Sequence, residues 1–259
     1  METTVPPNRA PVSDRGRVRW WWQVLRAGRG ATVDEATARE LWRFYALYRP
    51  VALGGFLRAL RQADRVWVCR DRDRRIRGFG ALRCIDLEVE GTPHRALCLA
   101  QSALDPALRE SGVLPMALLR CWVVNRLRHP RTRLYALLGA STLTGYLLVA
   151  RTFPRYWPRE GASLPPRVVR LFDRVAAELG YSSWDAETGV VRGSETTPYR
   201  LGVVASAPRA LQDSTVAAYA RLNPGQTRGD ALLCIAPLTL GGWARILWRQ
   251  VGPGAGTSP

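Results

Sequence analysis

The stretch Leu99 to Leu119, reading L-A-Q-S-A-L-D-P-A-L-R-E-S-G-V-L-P-M-A-L-L, constrains the chain more than any other. Its first half, continued back to Ala96, is an apolar run with the character of a buried strand. Asp105-Pro106 ends that run, because a proline pushes the residue before it out of helical space. Pro115 then suits a first helical position, and Met116, Leu118, Leu119, Val123 and Leu127 recur at helical spacing. The stretch is therefore predicted as strand, loop and helix. A loop that feeds a helix start presents unpaired N–H groups and the positive end of a dipole, which suits a phosphate or pyrophosphate. Gly112 would let the backbone approach such a group closely, and Arg109 adds charge.

A chain of 259 residues can bury one substantial core, or a core with a smaller appendage. Its formal charge is +17, and with no lysine present all 38 basic residues are arginine. Together with abundant Ala, Gly and Pro, that is the pattern of a GC-biased genome, so the choice of Arg over Lys says little about function. The excess of bases over acids favours anionic ligands, or else nucleic acid or an anionic membrane. The five cysteines (Cys69, Cys84, Cys98, Cys121 and Cys234) are widely spaced and mostly set in apolar runs, with only His94 and His129 to accompany them. No metal-ligand spacing appears, and the thiols read as reduced and buried in a cytoplasmic protein.

Residues 1–16 read as a disordered basic tail, without the apolar run of a secretory signal. Val18 to Leu25 reads as a strand, whose Trp20, Trp21 and Trp22 either pack in the core or anchor at a membrane interface. Thr32 to Glu35 matches a capping box, followed by an apolar helical face of Leu41, Phe44, Tyr45 and Tyr48. Leu53, Phe56, Leu57 and Leu60 predict a second helix, and Val66 to Cys69 a strand. Ile76 to Val89 and Ala96 to Ala103 predict a long antiparallel hairpin, with Asp86, Glu88 and Glu90 on one face and His94 on the surface at the turn. Arg133 to Ala140 predicts a strand, and Ser141 or Thr142 caps a helix carrying Leu143, Tyr146, Leu147 and Ala150. Leu134 to Ala150 carries no charge and reaches the short limit for a membrane span, but its glycines and hydroxyls favour strand plus helix. Beyond residue 159 come a helix from Val168 to Gly180, turn-rich sequence, a helix around Arg209 to Leu222, and an uncharged stretch from Ala231 to Ala244.

The order is strand, two helices, three strands, helix, strand, helix, and over about residues 18–158 it resembles the GNAT superfamily of acyl-CoA-dependent N-acyltransferases. The family's donor-binding signature is Gln or Arg, two residues, Gly, one residue, then Gly or Ala, and Arg109, Gly112 and Leu114 fall on that spacing. The resemblance implies an α/β (α+β) fold: a mixed, mostly antiparallel sheet flanked by helices, with a C-terminal helical extension. It implies a GNAT-like domain over 17–158, an extension over 159–251 packing on that core, and a flexible tail over 252–259. It also implies that Arg109, Gly112, Val113 and Leu114 hold the pyrophosphate of an acyl-CoA, with Leu104 offering main-chain groups to the pantetheine arm. With Phe153 matched to the family's closing phenylalanine, Ser141, Thr144, Leu148 and Thr152 replace its Asn, Ala, Tyr and Gly. Leu148 thus stands where the family keeps a general acid, and Tyr146 is the substitute candidate. Glu88 is the candidate base for the amine.

The expected activity is transfer of an acyl or acetyl group from acyl-CoA to a small-molecule or peptide amine, with no metal. The alternative is a non-catalytic module of the same fold that binds nucleic acid or an anionic membrane through its arginines.

Overall fold

The computed structural model describes residues 21–26, 33–108, 113–192 and 214–251. The elements are β1 (Trp21–Arg26), α1 (Glu35–Ala46), α2 (Leu53–Arg61), β2 (Arg65–Arg70), β3 (Ile76–Val89), β4 (Thr92–Leu104), α3 (Val113–Arg128), β5 (Arg133–Ala140), α4 (Leu143–Thr152), α5 (Pro166–Leu179), β6 (Trp184–Asp185), β7 (Val190–Val191), α6 (Ser214–Leu222), β8 (Ala231–Pro237) and α7 (Leu240–Val251). The eight strands among the described residues form one mixed sheet in the order β1-β2-β3-β4-β5-β8-β7-β6. Every neighbouring pair is antiparallel except β4 and β5. The fold is the expected α/β arrangement, and its first nine elements have the expected order.

Alternation along β3 divides the core. Phe79 and Ala81 point to one face and meet Leu41, Tyr45 and Phe56 of α1 and α2. Farther along that face, Ile85 and Leu87 meet Leu171, Phe172 and Val175 of α5. Leu82, with Leu97 and Leu99 of β4, points to the opposite face and packs under Leu118 and Trp122 of α3 and Val149 of α4. Two glycines of β3 make room there. A Cβ on Gly80 would stand 2.3 Å from the Trp67 ring, and one on Gly78 2.5 Å from Leu104 Cδ1.

Local signals act as physics requires. Thr142 Oγ1 accepts from Gly145 N (3.3 Å) and starts α4, so the uncharged run from Leu134 divides into strand and helix. Gly180, at φ 72°, closes α5. No helix among the described residues is long and apolar enough to cross a membrane.

Three expectations need correction. α1 begins at Glu35 with Asp34 as its cap, Oδ1 accepting from Thr37 N (2.8 Å), whereas Thr32 lies outside the described residues, as do Trp20 and the side chains of Trp21 and Trp22. The region after residue 159 does more than pack on the core, for it adds β8, β7 and β6 to the sheet. His94 is not a surface residue but is 1% exposed. β4 starts at Thr92, ahead of the predicted Ala96, and so takes His94 into the sheet opposite Leu87.

His94 stacks on Tyr135 (ring centroids 5.6 Å apart), and its Nε2 accepts from Arg167 Nη2 of α5 (3.1 Å). Nδ1 therefore carries the proton of the neutral ring. Burial first, and Arg133 second, hold its pKa below the usual histidine value, against a smaller opposing pull from Glu90. The unfolded chain takes up this proton near pH 6.5 and the folded chain resists it, so His94 favours folding above about pH 6.5 and loses that contribution as pH falls below it. Denaturant midpoints measured from pH 7.5 down to 5.5 should fall with acid, and His94→Gln should flatten that fall. An unaltered slope would show that folding does not shift the titration of His94.

Candidate functional site

The parallel pair β4–β5 runs in register from His94↔Arg133 to Leu99↔Leu138 and there stops. Both strands continue. β4 stays on β3 as far as Gly78↔Leu104, while β5 stays on β8 as far as Ala140↔Leu232. The cause is visible in the β3–β4 register, where Leu82 opposes Leu99 but Ala81 opposes Gln101. Ala100 is left as an extra residue, and such a bulge bends the strand that carries it. Beyond Leu99↔Leu138 no pair joins β4 to β5, and the ladder is open there.

The gap is lined by main chain with nothing in the ladder to pair with. Asp105 N donates to Arg77 O (2.8 Å), which makes Gly78↔Leu104 a wide pair of the antiparallel ladder. In a wide pair the N–H and C=O groups of both residues point away from the partner strand. Leu104 therefore turns its N–H and C=O toward the gap, and by alternation so does Ser102. This is the edge of a sheet, ready for an extended partner bearing amides.

Side chains frame the gap. Tyr219 of α6 donates to Ala140 O (3.1 Å) at the end of β5. Arg49, after α1, donates from Nη2 to Ser141 Oγ (2.8 Å) and lies 6.0 Å over the Tyr45 ring, tying the first helix to the far side. Arg77 pairs with Asp105 (3.1 Å) where β4 ends. Gln101, on the α1–α2 face beside Ala81 and Ala103, is buried, and its Oε1 has no hydrogen-bond partner. Reading by residue type missed Arg49 and Gln101, and had Ser141 only as a helix cap and at the family's Asn position. The available signal was Gln101, a polar side chain inside an otherwise apolar run.

The residues expected to form the site divide. Leu104 is at the gap. Val113 and Leu114 begin α3, while Arg109 and Gly112 lie outside the described residues. Glu88 is elsewhere: it pairs with Pro93 beside the hairpin turn, at the opposite end of β4 from Leu104. Eleven residues of strand separate positions 93 and 104, about 36 Å at 3.3 Å per residue, so Glu88 does not meet the gap. Tyr146 is buried at 1% exposure, stacked on Tyr219 (5.3 Å) and edge-on to Tyr156 (6.0 Å), with its hydroxyl donating to Pro158 O (3.4 Å). Burial, reinforced by Tyr156, raises its pKa well above that of a free phenol, which opposes ionisation. It is a packing residue. Leu148, half-buried, packs against the same cluster.

Burial also pushes up the thiols, Cys69 to about 11 and Cys84 and Cys98 to about 12, so none of these is a ready nucleophile. Among the described residues no group of three His, Cys, Asp or Glu side chains is placed to hold a metal ion.

Compared by sequence, the chain matches no protein-family model and no curated protein. Compared by structure, it is similar to solved N-acetyltransferases, at a distance. One is a GNAT family N-acetyltransferase of Escherichia coli in complex with CoA, with 12% identity, 50% of this chain and 67% of that one covered, and a TM-score of 0.34. Another is an acetyltransferase of Trypanosoma brucei, with 14% identity, 56% and 100% covered, and a TM-score of 0.38. A third is the ribosomal-protein-S18-alanine N-acetyltransferase of Escherichia coli, with 10% identity, 85% and 96% covered, and a TM-score of 0.34. The chain spans 18% of a fungal multi-domain GH3 β-N-acetylglucosaminidase that it also matches.

If Tyr146 only packs, Tyr146→Phe should cost about 0.5–1.5 kcal/mol of stability for one lost hydrogen bond and leave CoA affinity unchanged. Denaturant melts and calorimetric titration check both halves. Weakened CoA binding in a folded variant would return Tyr146 to the site.

Proposed function

We propose that this chain moves an acyl group from acyl-CoA to an amine carried by a small molecule or a peptide. The observation that supports this most directly is the gap after Leu99↔Leu138, into which Leu104 and Ser102 turn main-chain donors and acceptors. A pantetheine arm has two amides in an extended chain, so it can take the place of the missing strand. The pyrophosphate would then lie beyond the end of β4, toward the start of α3 at Val113 and Leu114, the segment to which the resemblance assigns it together with Arg109 and Gly112.

Chemistry on such a scaffold needs few side chains. Backbone N–H groups polarise the thioester carbonyl, and the amine attacks its carbon. A C–N bond forms as the C–S bond breaks. The amine loses a proton to water, and the thiolate leaves. Thiols have a pKa of about 8.5, so this leaving group departs without a dedicated acid. The placement of Tyr146 in the core and of Glu88 at the far hairpin is compatible with that route.

Calorimetric titration with CoA tests the proposal. The wild type should bind, and Gly112→Val should bind at least roughly tenfold more weakly by blocking close approach of the backbone. Intact mass spectrometry of the purified protein should also find retained CoA or acyl-CoA. Absence of CoA binding, with salt-sensitive retention on nucleic acid instead, would select the non-catalytic reading.

A further inference from the structure

Where β4 and β5 part there is a cavity of about 20 Å³. Leu99 and Leu138, the last residues paired across the parallel ladder, line it, together with Ala136, Ala236, Leu148 and Phe153. Its whole lining is aliphatic, aromatic or thiol, without a charge or a hydroxyl. A cavity of that character stays dry and accepts an apolar guest. Two of its walls are alanines on neighbouring strands, Ala136 of β5 and Ala236 of β8, which the register places opposite each other. Any larger pair there would close it.

The gap therefore changes polarity along its length. At Leu104 and Ser102 it offers hydrogen-bonding main chain, and at Leu99, five residues or about 17 Å farther in, it ends on hydrocarbon. A linear ligand that enters with its anionic end toward α3 and lays its amides along Leu104 and Ser102 brings its reactive, apolar end to this cavity.

Resting on the acyltransferase reading, we infer that the cavity takes the tail of the transferred acyl group, and that the donor is a straight three- or four-carbon acyl-CoA in preference to acetyl-CoA. The size sets the limit: about 20 Å³ is space for one water-sized body, which one or two methylenes beyond acetyl would fill.

The test is calorimetric titration of the full chain with CoA and with acetyl-, propionyl-, butyryl- and octanoyl-CoA. Affinity should rise about fourfold per added methylene from acetyl to butyryl, then fall at octanoyl. Ala136→Val, which fills the cavity, should bring the butyryl-to-acetyl ratio to about one. Leu148→Ala, on the half-buried side, enlarges the cavity and should move the optimum to longer chains. If Ala136→Val does not fold by circular dichroism, Leu148→Ala carries the test. Equal affinity for all four acyl-CoAs, or a rise that continues to octanoyl, would overturn the cavity assignment while CoA binding upheld the acyltransferase reading. Failure of CoA and every acyl-CoA to bind would overturn both.

Discussion

One extra residue, Ala100, sets the shape of the site. A parallel pair that stayed in register to the end of β5 at Ala140 would close the space beside β4 as far as Gln101, because adjacent strands lie about 4.8 Å apart. The bulge breaks that register, and each strand is then held by its other neighbour. β3 holds β4, helped by Gly78 and Gly80, whose missing side chains admit Leu104 and the Trp67 ring. β8 holds β5 through six paired positions from Tyr135↔Pro237 to Ala140↔Leu232. An opening inside a sheet is stable only when both walls are anchored from behind. The C-terminal region is therefore part of the site's construction, although none of its residues is needed to pair with a ligand's amides.

Much of this was legible in the sequence where period and punctuation agree. Ile76–Val89 and Arg133–Ala140 emerge with the predicted limits, because alternation or an apolar run is bounded on each side by turn or capping residues. The start of β4 was hidden by Pro93-His94, which after Glu90-Gly91 reads as loop. Proline is tolerated there because β5 pairing begins only at His94↔Arg133, so Pro93 owes no ladder bond on that side. β8 was read only as an uncharged run, since a strand buried on both faces shows no alternation. β6 and β7, two residues each, are too short for any period to register.

The site was legible in part, for a related reason. Leu104 was found because Asp105-Pro106 marks the strand end. The bulge at Ala100 was invisible, being a property of pairing rather than of residue type. Glu88 was a natural choice by chemistry, but its distance from the gap depends on how far the hairpin extends. The count of arginines likewise overstates how many are free for a ligand, although the net excess of +17 is untouched by pairing. Arg70 is bidentate to Glu40 (2.7 Å for each bond), Arg95 to Asp86, and Arg170, Arg192 and Arg221 pair with Glu90, Asp185 and Glu160. Such pairs near the surface contribute little stability each, but they commit these guanidinium groups to the protein itself.

The three tyrosines beside β5 explain why chemistry at the gap would rest on main chain. Tyr146 of α4 stacks on Tyr219 of α6, Tyr156 closes the edge, and Tyr219 in turn holds Ala140 O, the last carbonyl of β5. Asn223, fully buried, fixes the Tyr219 hydroxyl from behind (3.2 Å) and reaches Asp230 O just before β8 (3.0 Å). One connected cluster thus links α4, α6, β5 and the entry to β8. A phenol serving as a proton donor must reach the reacting atoms and exchange with water, and each of these requirements conflicts with a place in that cluster. These aromatic groups are for that reason unsuited to act in the gap, where the proposed chemistry would draw on oriented N–H groups.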